Sequence, residues 1–282
     1  MLKGIVSFQG RVRHALAVML LLVGIAPTRA ADFEEVVAQG ISFIRIPAGS
    51  FTMGTGDASQ AELKKLEHWT RFNEQERPAK TVTLSKGFLI GKFEITQKQW
   101  RDIMPNNKTP SAFKGDTLPV DSVSWDEVQV FIREINKKEK SNKYRLPTEA
   151  EWEYCARAGG NGTFGLGQAK VAITFENIDG FAWHKENSEK KTQPVGKNKP
   201  NAWGVYDMAG NVWEWCQDWH DPAWYAKMPA QDPINKADGN TERVIRGGSW
   251  FLDVQHLRPA NRSANPPNSK TSYLGFRLVR DL

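Results

Sequence analysis

Thiols and imidazoles, the side chains that bind metals and attack carbonyls, are scarce in this chain: two cysteines, Cys155 and Cys216, stand 61 positions apart, and there are five histidines. Paired metal-binding thiols usually lie a few residues from one another, so this spacing carries no metal signature. It leaves two readings, buried thiols that fill apolar space or a disulfide between Cys155 and Cys216 in an oxidising compartment. His184-Lys185-Glu186 has the His-x-acid spacing of a facial-triad iron site, with His220 or His256 as a second imidazole. With 32 acidic residues in the chain such a spacing arises readily by chance, and iron is not expected. Hard-oxygen chemistry is better supplied. In Asp207-Met208-Ala209-Gly210-Asn211-Val212-Trp213-Glu214 two carboxylates and the carbonyls of Gly210 and Val212 offer the ligands calcium takes, unless Glu214 and Asn211 only brace buried loop amides.

Eleven tryptophans are the compositional anomaly. Trp203, Trp213, Trp215, Trp219 and Trp250 either line a groove for a peptide or aromatic ligand or form the core of a fold short of aliphatic ladders, with core the expected role for most of them. The elements that must position these residues are short. Ser124-Trp125-Asp126-Glu127, Thr148-Glu149-Ala150-Glu151 and Thr96-Gln97-Lys98-Gln99 are capping boxes. They predict helices from Trp125 to Lys138, from Glu149 to Ala158 before Gly159-Gly160, and from Thr96 through Trp100 and Ile103. Strands are expected at Ser42 to Ile46, Thr81 to Leu84, Phe88 to Glu94, Arg243 to Arg246 and Phe276 to Val279. The polar stretches Thr55 to Lys80, Asn106 to Thr117, Glu186 to Asn201 and Pro229 to Thr241 read as surface loops. So few regular elements imply a single irregular, loop-rich α+β domain whose loops are fixed by something besides ladders.

The first thirty residues read as an address. Lys3, Arg11, Arg13 and His14 precede an uncharged run from Ala15 to Ile25, and Pro27-Thr28-Arg29-Ala30-Ala31 supplies a breaker and small residues for cleavage. We expect a Sec-type signal peptide over residues 1–31 and a periplasmic or secreted mature domain over 32–282, the competing reading being an uncleaved anchor. No stable membrane insertion is expected after cleavage. Without the four basic residues of that segment, 34 Lys and Arg face 32 Asp and Glu, too even a balance for nucleic acid as a default partner. At 40% hydrophobic and 25% charged residues, disorder, collagen and coiled coil are excluded.

Ordered motifs then point to a family. Ile46-Pro47-Ala48-Gly49-Ser50-Phe51-Thr52-Met53-Gly54, Gly91-Lys92-Phe93-Glu94-Ile95-Thr96, Pro119-Val120-Asp121-Ser122-Val123-Ser124-Trp125 and Arg145-Leu146-Pro147-Thr148-Glu149-Ala150-Glu151-Trp152-Glu153 come first. Asn201-Ala202-Trp203-Gly204-Val205-Tyr206, Asp207 to Trp215, Arg246-Gly247-Gly248-Ser249-Trp250, Arg258-Pro259-Ala260-Asn261-Arg262 and Gly275-Phe276-Arg277 follow. The chain resembles the sulfatase-modifying-factor family, typified by formylglycine-generating enzyme. The resemblance implies a compact domain related to C-type lectins, with calcium held by Asp207 and Glu214 through side chains and by Gly210 and Val212 through carbonyls. Of the family's other calcium site, only Asn187 has a counterpart. The family enzyme oxidises a substrate cysteine with copper(I) held by two cysteines just after Gly-Gly-Ser-[Tyr/Trp]. Here that segment has no cysteine and Leu252 stands where the first would fall, so copper and formylglycine generation are not expected. Trp250, His256, Arg258 and Arg262 occupy the segment that carries the active site in relatives and are the site candidates. Two functions follow: a maturation protein, possessing some other oxidative chemistry on a peptide or protein as in pyoverdine-maturation (PvdO-like) members, or a non-catalytic binding or assembly module on the same fold.

Overall fold

From its N-terminal side the domain runs through β1 (Glu35–Ala38), β2 (Ile41–Ile46), β3 (Gly49–Met53), α1 (Asp57–Lys65), a 3-10 turn at Arg71–Glu76, β4 (Lys80–Leu84), β5 (Phe88–Gly91), α2 (Gln97–Ile103) and α3 (Trp125–Glu139). It continues through β6 (Tyr144–Arg145), α4 (Glu149–Arg157), β7 (Trp213–Trp219), α5 (Trp224–Lys227), β8 (Arg243–Arg246), β9 (Arg262–Asn265), β10 (Leu274–Gly275) and β11 (Val279–Asp281). The computed structural model describes residues 1, 33–165, 173–236 and 239–282. Asp32–Leu282 forms one unit. The expected signal peptide, apart from Met1, lies outside the described residues. Among the described residues no helix is long and apolar enough to cross a membrane.

All three capping boxes form. Thr96, Ser124 and Thr148 accept from the N–H three residues on at 3.2, 3.2 and 3.1 Å. Gln99, Glu127 and Glu151 accept back from the cap N–H groups at 3.0, 3.0 and 2.8 Å. The periodic face of α3 buries Val128, Phe131, Ile132 and Ile135. They pack on Phe43, Leu89 and Tyr144 of a five-stranded sheet ordered β1-β2-β5-β11-β6. Side chains alternate across a strand, so Ile44, Ile46, Phe88, Ile90 and Val279 of the same sheet join Trp152, Cys155 and Ala156 of α4 in a second cluster. A four-stranded sheet, β10-β7-β8-β9, completes the α+β layout, with β3 and β4 as a separate pair.

The loops are pinned by buried ion pairs. Glu149 receives Arg262 at 2.7 Å through both Nε and Nη2. Glu153 receives Arg157 Nε and the Gly54 amide at 2.8 Å, together with Arg246. Arg246 also donates to the carbonyls of Pro259, Ala260 and Asn261 at 2.6, 3.2 and 3.1 Å. Glu76 receives Arg258 at 2.7 and 2.8 Å from 182 residues away. Each buried pair is costly to break, about 3–5 kcal/mol if one partner is removed.

Those pairs explain where the sequence reading departs from the structure. Thr55 to Lys80 is not wholly a surface loop: it holds α1 and the 3-10 turn, and Thr55, Asn73 and Glu76 are buried because Glu76 meets Arg258. Ser111, Ser188, Thr192 and Asn235 likewise bury parts of the other three polar stretches. The expected strand Phe88 to Glu94 ends at Gly91, and of the expected strand Phe276 to Val279 only Val279 lies in a strand, as the first residue of β11, while 276–278 link β10 to β11, with Phe276 O accepting from Ile95 N at 2.9 Å.

Candidate functional site

Gly247 and Gly248 turn the chain out of β8 at φ 99° and 74°. A Cβ at Gly248 would lie 2.4 Å from Leu257 Cδ2 and 2.9 Å from His256 O, so the turn closes only over glycine. The next residues help to line a cavity of about 330 Å3, which brings Phe251, Leu252 and His256 together with Trp213, Ile245, Tyr273, Phe72 and Gln75. A second cavity of about 540 Å3, holding Arg71, His220 and Glu242, meets the first at Phe72, Gln75 and Ser263. Together they form a trough along β9, the edge strand of its sheet. Phe72 and Phe251 are 67% and 38% exposed, which places two of the few large exposed apolar side chains in this one trough.

The four expected site residues divide. His256 lines the cavity, and burial followed by the Arg258 charge pushes its imidazole below the usual range. Trp250 does not line it: its ring stands edge-on to Phe113 with centroids 5.6 Å apart, and its Nε1 donates to Ser272 O at 3.1 Å. Arg258 is engaged with Glu76. Arg262 reaches the cavity wall, but its guanidinium is locked on Glu149 and lies 4.5 Å over the Tyr225 ring, so neither arginine is free to hold a substrate anion. Phe72, Gln75, Tyr273 and Asn265 were not anticipated as site residues. The only local signal for Phe72 is a bulky aromatic isolated in a polar stretch. Trp215 is core, its Nε1 on Val123 O at 2.9 Å, whereas Trp213 faces the groove.

No thiol reaches the trough. Cys155 and Cys216 are buried and free, so no bridge joins them, and burial pushes both thiols well above their usual range. Leu252 lines the cavity. The iron motif does not assemble either: His184 Nε2 meets Asp179 Oδ1 at 2.7 Å, His220 Nε2 meets Gln75 Oε1 at 2.7 Å, and among the described residues no three His, Cys, Asp or Glu side chains converge as a metal group.

The calcium set fits in part. Gly210 turns at φ 82° against Trp183 O, which would lie 1.9 Å from a Cβ. Asn211 braces the Gln193 backbone at 3.0 and 3.2 Å, the loop-bracing role foreseen for it. Both oxygens of Glu214 accept from Arg277 at 2.7 Å and one accepts from Trp152 Nε1 at 2.7 Å. Asn187 is engaged within its own turn, accepting from His184 N at 2.8 Å and donating to Ala182 O at 2.9 Å. Asp207 accepts from Gly196 N at 2.6 Å through Oδ2, while its Oδ1 and both oxygens of Glu94 are buried without a partner. Burial pushes Asp207 up to about 6; burial, then the Asp207 charge, pushes Glu94 well above the carboxylate range.

An α+β domain with loops held by buried arginine pairs, and a trough after a Gly-Gly-Ser-Trp turn, defines a class of small-sheet, loop-built domains. Residues 29–282 match the sulfatase-modifying factor enzyme 1-like domain, and the chain belongs to that family. It is 32% identical over 253 residues to the chaperone protein LppX of Paenibacillus barcinonensis, covering 71% of this chain and 82% of that one. It is 37% identical over 179 residues to the formylglycine-generating enzyme of Streptomyces coelicolor, covering 58% of this chain and 52% of that enzyme, about half its length. The structure of PvdO from Pseudomonas aeruginosa superimposes with a TM-score of 0.73 at 26% identity, over 89% of this chain and 99% of that one.

Proposed function

We propose that this chain is an exported, periplasmic or secreted member of the family that holds a peptide or protein segment in the trough along β9, and so serves the maturation or assembly of that partner without copper and cysteine chemistry. The observation that carries the reading is the lining itself: Phe72, Phe251, Leu252 and Tyr273 offer an apolar, partly exposed surface, and no thiol lies among them. Lectin-related folds keep a ligand groove after losing chemistry, and the likeness to a protein named as a chaperone supports a holding role. The likeness to PvdO, over nearly all of that chain, supports the second reading, an oxidative maturation of the held segment, with His256 as the titratable side chain in the cavity. Calcium is the cofactor proposed with either reading, as a brace for the domain. A photocrosslinking amino acid at Phe251, in cells that export the protein, tests the trough. It should give discrete adducts with a peptide or protein that disappear on Leu252→Glu. Adducts no different from those formed from Val37, an exposed residue of β1, would overturn it.

A further inference from the structure

A third cavity, of about 260 Å3, shares no lining residue with the trough. Gly54 and Gly56 of the turn between β3 and α1, Ser59 of α1, and Arg157 at the end of α4 line it, with the 161–163 loop beside them. Pockets for drug-sized molecules run from about 300 to 1,000 Å3, so this one suits an ion or a ligand of a few atoms with its water. The charge around it does not balance. Among the described residues Arg157, Arg246 and Arg262 share two carboxylates: Glu153 takes Arg157 and Arg246, and Glu149 takes Arg262 and, at 3.4 Å, Arg246. Asp218, also buried, forms no ion pair among the described residues and accepts instead from the amides of Glu149 and Asn235. Its carboxyl, pushed up to about 7 by burial and then the Glu149 charge, is no full counter-charge near neutral pH. Glu76 adds nothing to the balance, because Arg258 matches it one to one. Three buried guanidinium groups against two buried carboxylates leave one positive charge, and a buried charge without a counter-charge is strongly disfavoured.

The excess has an outlet at the cavity. Arg157 is 7% exposed, and its Nε and Nη2 donate at 2.8 Å to Glu153 Oε1 and Gly54 O. Its Nη1 has no hydrogen-bond partner among the described residues, although the residue lines a space large enough to hold one. Ser59 adds a hydroxyl that is likewise unpartnered among them. The first-turn N–H groups of α1 lack intrahelical acceptors, and the cap residue, Gly56, has no side chain to supply one. Two acids of α1 are exposed and engaged, Asp57 with Arg77 at 2.8 Å and Glu62 with Thr163. A guanidinium supported by N–H and O–H donors is the chemistry that holds an oxyanion. We propose that this cavity binds one small oxyanion, a phosphate, sulfate or carboxylate group, with Arg157 as its counter-charge and Ser59 and the start of α1 as neutral donors. Such an ion completes the charge of the network that pins the loops.

The test is equilibrium dialysis of the purified protein against radiolabelled phosphate, sulfate and acetate in turn, in chloride buffer of fixed ionic strength. At least one of the three should bind saturably at one site per chain. A preference for phosphate and sulfate identifies a tetrahedral ion, and a preference for acetate identifies a carboxylate. Ser59→Glu sets a carboxylate at the cavity and should weaken that binding at least about tenfold by like-charge repulsion. Lys138→Gln, which lowers the net charge by the same amount at an exposed place on α3, should leave it unchanged. Ser59→Ala removes one donor without adding charge and should weaken binding about three-fold or more, which tests the site even where the glutamate disturbs the fold. No saturable binding of any of the three ions to wild type would overturn the proposal. So would equal weakening by Ser59→Glu and Lys138→Gln, or binding to Ser59→Ala as tight as to wild type.

Discussion

Position 252 of the cavity lining is a leucine. Leucine offers no soft donor and no exchangeable sulfur, and it shares the cavity lining with Trp213 and Tyr273. Neither cysteine can substitute, since Cys155 sits within α4 and Cys216 within β7, each fully buried. Protein supplied with copper(I), oxygen and a Cys-x-Pro-x-Arg peptide should therefore leave the peptide cysteine unchanged by mass spectrometry; an aldehyde product dependent on Cys155 or Cys216 would refute this. The arginines of the same segment show how a residue type can be legible and its role not. Arg258 and Arg262 occupy a functional segment, but each guanidinium is matched fork to fork by a glutamate far away in sequence, and buried bidentate pairing holds loops rather than ligands. Nothing local to Arg258 announces Glu76.

Among the elements, the three helices that open on capping boxes were legible, whereas α1, α5 and the most important strand were not. A capping box is a local device, four residues long, and all three boxes open helices where the sequence places them. β7 reads Trp-Glu-Trp-Cys-Gln-Asp-Trp, with acidic residues at inward positions, and no period-2 pattern marks it as a strand. Its charges are accommodated by tertiary partners: Arg277 for Glu214, and two backbone amides, Glu149 N and Asn235 N at 2.8 Å, for Asp218. Asp218 thereby ties the start of α4 to β7. Burial, then the Glu149 charge, pushes its carboxyl up to about 7, while burial, then Arg262, pushes His220 one residue beyond the strand down to about 4. The signs oppose. A carboxyl raised in the folded state contributes stability that is lost as pH rises towards 7, and an imidazole lowered in the folded state contributes stability that is lost as pH falls from about 6.5. Urea midpoints from pH 4.5 to 7.5 should accordingly separate the two. His220→Gln leaves Asp218 unopposed and should become less stable as pH rises over that range, whereas Asp218→Asn should become more stable between pH 4.5 and 6.5. Slopes of the same sign in both variants would show that the pair does not govern this range.

For the molecule as a whole, the fold class and family were legible because ordered motifs run through nearly the entire domain, while the trough was not, because its lining comes from residues 72, 213, 252 and 273, which are far apart in sequence and meet only in the folded chain. The proposed holding role works only where a partner segment can reach the trough, which makes the address of the chain part of that proposal. The basic start, the uncharged run from Ala15 to Ile25 and the small residues after Pro27 predict removal near Ala31, the last residue before the unit Asp32–Leu282. Eleven uncharged residues are also short of the roughly 20 needed to span a bilayer, which favours release over anchoring. Expressed with its own N-terminus, the protein should be recovered from the periplasmic or culture fraction with Ala31 or Asp32 as its first residue by N-terminal sequencing. Protein retained in the membrane pellet with Met1 intact would show an anchor instead, and would confine the trough to partners that come to the membrane surface.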